Sequence, residues 1–310
     1  MKKTIIALLI LATAVIASAC GAETTPAPNE AYYVEESGEY YLDGITYEFN
    51  QQEVTAKANG VYSFDIVDYW MPDYILLNGK KYKITETIEN LFVGQDGLKT
   101  VRLSANLKKI ENALFADCDK LEKVTIPDSV EEIGDSVFSG CTSLSALTLP
   151  KNLRSIGEEA FFECKTLTTI VIPDSVTKIG PSAFYGCQLL SEITLSKKLE
   201  AIEDETFNEC PVLKTIVIPN SVKKIGNEVF WDCTALREIT IPDSVTEMGT
   251  RTFYGCEKLE TVYLSANLKS LDHETFAFCP AIKKITAPWL LEATLKMMFV
   301  TDEVEFDIKK

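Results

Sequence analysis

Eight cysteines stand one every 23 residues without a break, at Cys118, Cys141, Cys164, Cys187, Cys210, Cys233, Cys256 and Cys279. A fixed period of this size is the signature of a solenoid built from stacked, similar units. Such a body offers long repetitive surfaces, so binding is the default expectation and catalysis needs its own supporting motif.

Other columns share the period. Phenylalanine lies three residues before each cysteine, from Phe115 to Phe276, and an aliphatic residue three after, from Leu121 to Ile282. Next comes an alternating pair, Val124/Ile126 through Val262/Leu264. Its period of two and β-branched content predict a short strand. Proline at Pro127, Pro150, Pro173, Pro219 and Pro242 ends that strand, because it has no N–H to donate. Glycine at Gly134, Gly157, Gly180, Gly226 and Gly249 is expected to mark a turn. The A-F-x-x-C-x-x-L stretch has helical or 3-10 spacing but is too short for a long helix. A single unit buries too few side chains to offset the ordering of its backbone, so neighbours must supply strand pairing and a shared core.

The unit L-x-x-I-x-I-P-x-S-V-x-x-I-G-x-x-A-F-x-x-C resembles the leucine-rich repeats of the BspA-like, or Treponema-type, class. The resemblance spans about Ile84 to Pro288, with a degenerate first unit that keeps Phe92 and Leu98 and places Gln95 at the cysteine position. It implies an α/β leucine-rich-repeat solenoid with a parallel β-sheet on its concave face, short helical or 3-10 returns and a β-rich N-terminal cap. The expected division is signal peptide 1–19, flexible tether 20–38, N-terminal cap 39–83, solenoid 84–287 and C-terminal cap 288–310. Within the N-terminal cap, strands are expected at Tyr40–Leu42, Ile45–Phe49, Val61–Ile66 and Tyr74–Leu77, with a tight hairpin at Asn78-Gly79. The C-terminal cap should hold a short helix (Leu290–Phe299) and a last strand (Val304–Ile308).

The chain starts Met1-Lys2-Lys3 and then runs apolar from Ile5 to Ile16, which reads as a secretory signal too short to span a bilayer. Two readings of its end compete. Ala17 and Ala19 suit ordinary cleavage; the same residues before Cys20 resemble a bacterial lipobox, with Ala17 in place of the usual leucine. Cys20 is the one cysteine off the ladder, and diacylation would remove a lone exported thiol. Lipid anchoring at Cys20 is therefore the expectation, and simple secretion the alternative.

Formal charge is −16; without Lys2 and Lys3, 28 basic residues face 46 acidic ones, or −18. That balance disfavours phosphate backbones, so no nucleic-acid partner is expected. The cysteine column has parallel side chains rather than converging ones, which argues for buried free thiols over disulfides. No C-x-x-C or Cys/His cluster suggests a metal, and no nucleophile elbow, P-loop or dinucleotide fingerprint suggests catalysis or a cofactor. His273, the one histidine, falls in a column of mostly polar residues and reads as surface.

Two faces carry candidate ligand contacts. The outward column of the strands runs Arg102, Thr125, Thr148, Val171, Thr194, Val217, Thr240, Tyr263 and Thr286, a face roughly 38 Å long at the strand spacing. Two residues before the cysteines stand Phe162, Tyr185, Asn208, Trp231 and Tyr254. Aromatic and arginine anchors dominate most interfaces, so Arg102, Tyr263, Tyr185, Trp231 and Tyr254 are the candidates. The resemblance implies a non-catalytic bacterial cell-surface adhesin, lipid-anchored to the membrane (the outer one is expected), that binds an extracellular protein or glycan. A glycan-binding accessory protein is the alternative.

Overall fold

The computed structural model describes residues 29–34, 39–61, 66–299 and 304–309. From Val67 onward the chain winds as a solenoid with two parallel β-ladders. The broad sheet has strands of three residues, such as Lys123–Thr125 and Glu238–Thr240. Their middle residue is buried and the flanking two are exposed, as the alternation predicts. The narrow sheet has strands of two residues, such as Glu132–Ile133 and Ser155–Ile156, paired in parallel 23 positions apart. Where strands pair they do so in register, Val124 beside Val101 and Ile193 beside Ile170, but the broad ladder breaks at the Thr148 and Val217 units and the narrow one between Ile179 and Ala201.

The returns are turns, not the expected helical or 3-10 segments. All but the last contain two residues in the left-handed region, for example Glu159 (φ 52°) and Glu163 (φ 51°); the last has Phe278 alone. That conformation interrupts a helix. The return amides instead reach the next unit: Phe115 N–H bonds Val137 C=O at 3.0 Å, and Phe138 N–H bonds Ala160 C=O at 2.8 Å. Among the described residues, α-helix is confined to Glu292–Met298, preceded by a 3-10 turn at Trp289–Leu291. The architecture is therefore a solenoid of parallel strands, and the α/β label does not describe it.

The interior is a set of one-residue columns. Phenylalanines from Phe92 to Phe276 stack with centroids 5.1–5.8 Å apart and planes within 3–14° of each other. Near-parallel rings at these separations are offset stacks, and each buried ring contributes roughly 1.5–3 kcal/mol. The eight ladder cysteines are free and buried. Each thiol donates to the phenylalanine carbonyl 26 residues earlier, at 2.9–3.3 Å.

The glycine column works differently from the expectation. Its members lack positive φ; a Cβ on Gly249 would instead lie 2.5 Å from both Asn227 N and Gly226 C. Glycine is needed there because the preceding unit's backbone passes too close for a side chain.

Between Tyr32 and Thr87 seven strands can be placed: β1 (Tyr32–Val34), β2 (Glu39–Leu42), β3 (Ile45–Asn50), β4 (Thr55–Val61), β5 (Asp68–Trp70), β6 (Tyr74–Leu77) and β7 (Lys80–Thr87). Six of them form one sheet in the order β1-β2-β3-β4-β7-β6, antiparallel except where β4 meets β7. The Asn78-Gly79 hairpin is present, with φ of 52° and 73° as a type I′ turn demands. A strand was expected at Val61–Ile66; the observed one is β4, and residues 62–65 lie outside the described ones. β4, with Ala56, Lys57, Ala58, Asn59 and Gly60 in a row, has weak strand propensity, but pairing to β3 and β7 on either side imposes the conformation.

β5 does not join that sheet. It pairs in parallel with β8 (Thr100–Arg102), so it is the first rung of the broad sheet. The segment Trp70-Met71-Pro72-Asp73 matches Thr125-Ile126-Pro127-Asp128 of a regular unit. Asp73 accepts the Ala105 N–H, as Asp128 accepts that of Lys151 and Asp243 that of Ala266. Asp73 and Ala105 are 32 residues apart rather than 23. The extra residues are the β6–β7 hairpin, inserted into the first unit.

Candidate functional site

The outward column runs over three paired stretches of the broad sheet, with Thr148 and Val217 at the breaks between them, and the shared 23-residue period keeps its members in line. Thr125, Thr148, Val171, Thr194, Val217, Thr240 and Tyr263 are all exposed and none is charged. Val171 is 64% and Val217 82% exposed. The neighbouring column, in contrast, carries Lys123, Glu192 and Glu238. An uncharged strip roughly 28 Å long, at six strand spacings, thus runs along a strongly acidic chain. The strip ends at Thr286, which is buried and donates to Asp307 at 3.4 Å.

Arg102 stands at the other end but is already engaged. Its guanidinium meets both Asp73 carboxylate oxygens at 3.3 Å and reaches Met71 C=O at 3.5 Å. It ties the first rung to the second. Its partner in register, Trp70, is 73% exposed and extends the strip by one aromatic residue.

The second face lies on the returns. Trp231 and Tyr254 stack at 4.0 Å with planes 20° apart, and the Arg251 guanidinium sits 5.8 Å from the Trp231 ring centre. Phe162 and Tyr185 form a separate stack at 4.9 Å, and Asn208, buried, divides the two. The Tyr185 hydroxyl donates to Glu209 at 2.8 Å, and this bond, together with burial, pushes the phenol up to about 12. The rings stack along the solenoid axis, so neighbouring rings cover their faces and their edges point outward.

Sequence reasoning missed Phe278. It packs on Tyr254 at 4.9 Å and is 70% exposed. Its φ is +59°, uncommon for a bulky residue. The signal was there: its column otherwise holds glycine or an acidic residue, from Asp117 and Gly140 to Asp232 and Gly255. An aromatic at a left-handed position is a departure that folding alone does not favour.

Cys20 lies outside the described residues, as does Tyr62. His273 is exposed, 3.3 Å from Asp272. Among the described residues no group of three or more His, Cys, Asp or Glu side chains could hold a metal ion, and no helix is long and apolar enough to cross a membrane. Burial raises the Asp232 carboxyl, with Glu209 and Glu257 adding to the effect and Trp231 opposing it. The two hollows found lie elsewhere, one beside β5 and one along β3, β4 and β7.

The sequence profile of the BspA type leucine-rich repeat region matches residues 80–191 and 177–302, in six copies. The chain belongs to the BspA-type leucine-rich repeats. β5 adds a rung to the broad sheet ahead of the matched residues. A solved leucine-rich repeat protein from Bacteroides ovatus is 28% identical, with a TM-score of 0.66, over 87% of this chain and 76% of its own. A leucine-rich repeat protein from T. pallidum is 26% identical, with a TM-score of 0.57, over 64% of this chain and 90% of its own. No curated protein matches the chain.

Proposed function

We propose that this BspA-type protein is a non-catalytic binding protein of the bacterial cell surface, engaging an extracellular protein through the broad sheet. The observation that carries the reading is the exposed, uncharged strip from Thr125 to Tyr263, set on the repeated units of the solenoid. A preformed surface loses little freedom on binding, and an uncharged core within a charged rim is the usual anatomy of a protein interface. The sheet is the concave face in this reading, and the six-stranded N-terminal sheet and the segment from Trp289 onward serve as caps over the apolar ends. Lipid attachment at Cys20 would hold the protein at the membrane.

The glycan reading is less well supported. Sugar stacking needs an open ring face, whereas Trp231 and Tyr254 cover each other at 4.0 Å. An array of native host glycoproteins and polysaccharides, probed with the mature protein, separates the two. The proposal expects signal on protein spots that survives deglycosylation. Signal on polysaccharides alone would overturn it.

A further inference from the structure

We propose that the outer edge of β5 accepts an extended, basic peptide strand contributed by a partner protein. β5 is the first strand of the broad sheet and, among the described residues, bonds on one side only. Thr100 N–H reaches Val67 C=O at 3.2 Å, and Met71 N–H reaches Arg102 C=O at 2.8 Å. Odd-numbered residues therefore face β8, and the backbone groups of Asp68 and Trp70 face away from it. Among the described residues no strand pairs with this edge. A row of donors and acceptors at strand spacing is matched by another extended backbone.

The surroundings fit such an occupant. A hollow of about 430 Å³ lies beside the edge, lined by Asp43 and by Ile66 to Trp70. Val67 and Trp70 are 46% and 73% exposed, leaving apolar surface for side chains of the incoming strand. Asp43 and Asp68 supply two carboxylates and no lysine or arginine lines the hollow, so the complementary strand carries positive charge. Arg102 is committed to Asp73. The opposite end of the sheet differs: Glu305–Lys309 presents Glu305, Asp307 and Lys309 to solvent, the charged pattern that blunts an edge. This site meets the end of the strip at Trp70 but uses the backbone edge of β5, away from Val171 and Val217 on the face of the sheet.

The probes are a short fluorescent peptide alternating lysine with valine and threonine, the same peptide with glutamate for lysine, and a lysine version N-methylated at alternate residues. Anisotropy titrations with the mature protein should show saturable binding of the lysine peptide, about tenfold or more tighter than the glutamate peptide and lost on N-methylation. Trp70→Pro, which removes the outward N–H, should weaken binding beyond Trp70→Ala, with circular dichroism showing both folded; edge strands tolerate proline. Val171→Glu/Val217→Glu should leave peptide binding unchanged while abolishing capture on the protein array. No saturable binding of the lysine peptide, equal binding of the N-methylated or glutamate peptide, or loss of peptide binding in the Val171/Val217 variant would each overturn the proposal.

Discussion

The thiol of Cys187 donates to the carbonyl of Phe161 at 3.3 Å, and that same carbonyl also accepts the Cys164 amide at 3.2 Å. Cys187 thus hangs on the turn of the preceding unit while its own amide closes its own turn onto Phe184 C=O. Serine has a shorter reach than cysteine, which places its hydroxyl beyond bonding distance of that carbonyl and leaves it buried. Cys187→Ser should cost roughly 1–3 kcal/mol. Cys187→Ala, which strands no donor, should cost less. Urea unfolding of both variants checks the order; serine retaining full stability would show that the bond is not geometry-limited.

Burial raises the seven ladder thiols from Cys118 to Cys256, Cys118 and Cys210 to about 12 from the ordinary 9.0. They are neutral in the fold and ionise more readily when unfolded. Their contribution is therefore fully present below about pH 9 and is lost as pH rises toward 12. Unfolding midpoints should fall across that window. Native protein should react slowly with a thiol reagent at neutral pH, and all eight ladder thiols should titrate after denaturation. Oxidised pairs in the purified protein would contradict the geometry.

Two glycines separate close approach from backbone freedom. Gly249→Ala forces a Cβ to 2.5 Å from Asn227 N and should destabilise by about 1–3 kcal/mol, since the obstacle is backbone. Gly79→Ala meets nothing within 4 Å and bears only its φ of +73°, which costs roughly 1–2 kcal/mol. In addition, Gly249→Ala should raise amide exchange at Asn227, whereas Gly79→Ala should leave the solenoid's protection unchanged.

Register is the condition for the stack. Removing residues 167–189 deletes one full period and rejoins every column, so a shorter folded protein is expected. Removing about ten residues at the same place sets Phe, Cys and strand columns against the wrong partners and should unfold the local units. Similar melting of the two deletions would argue against strict repeat pairing.

The strand, the phenylalanine and cysteine columns and the Asn78-Gly79 turn were legible because each recurs or carries a φ requirement in its own residues. The first rung was not. Trp70-Met71-Pro72-Asp73 carries the corner signature, but the inserted β6–β7 hairpin breaks the period that would have revealed it. The returns misled because A-F-x-x-C-x-x-L spacing is shared by helices and by turns; left-handed residues such as Glu159 and Glu163 decide, and glutamate gives no hint of that conformation. Among the candidate contacts, Arg102 looked free because its partner Asp73 lies 29 residues away across the insertion. Asp128, Lys151, Asp174 and Lys197 alternate in sign from unit to unit, and each aspartate accepts the next unit's amide, at 3.2 Å and 3.0 Å.

The central claim is that the uncharged strip of the broad sheet is the binding face. Its most direct test is the affinity of one captured protein partner for Val171→Glu/Val217→Glu, beside Tyr263→Ala and the Trp231→Ala/Tyr254→Ala pair, with all variants shown to be folded. The account predicts a loss of at least tenfold, about 1.4 kcal/mol, for the Val171/Val217 variant. A smaller loss is expected for Tyr263→Ala and little change for the Trp231/Tyr254 pair. Full affinity in the Val171/Val217 variant, with loss in the Trp231/Tyr254 pair, would contradict it and move the site to the returns.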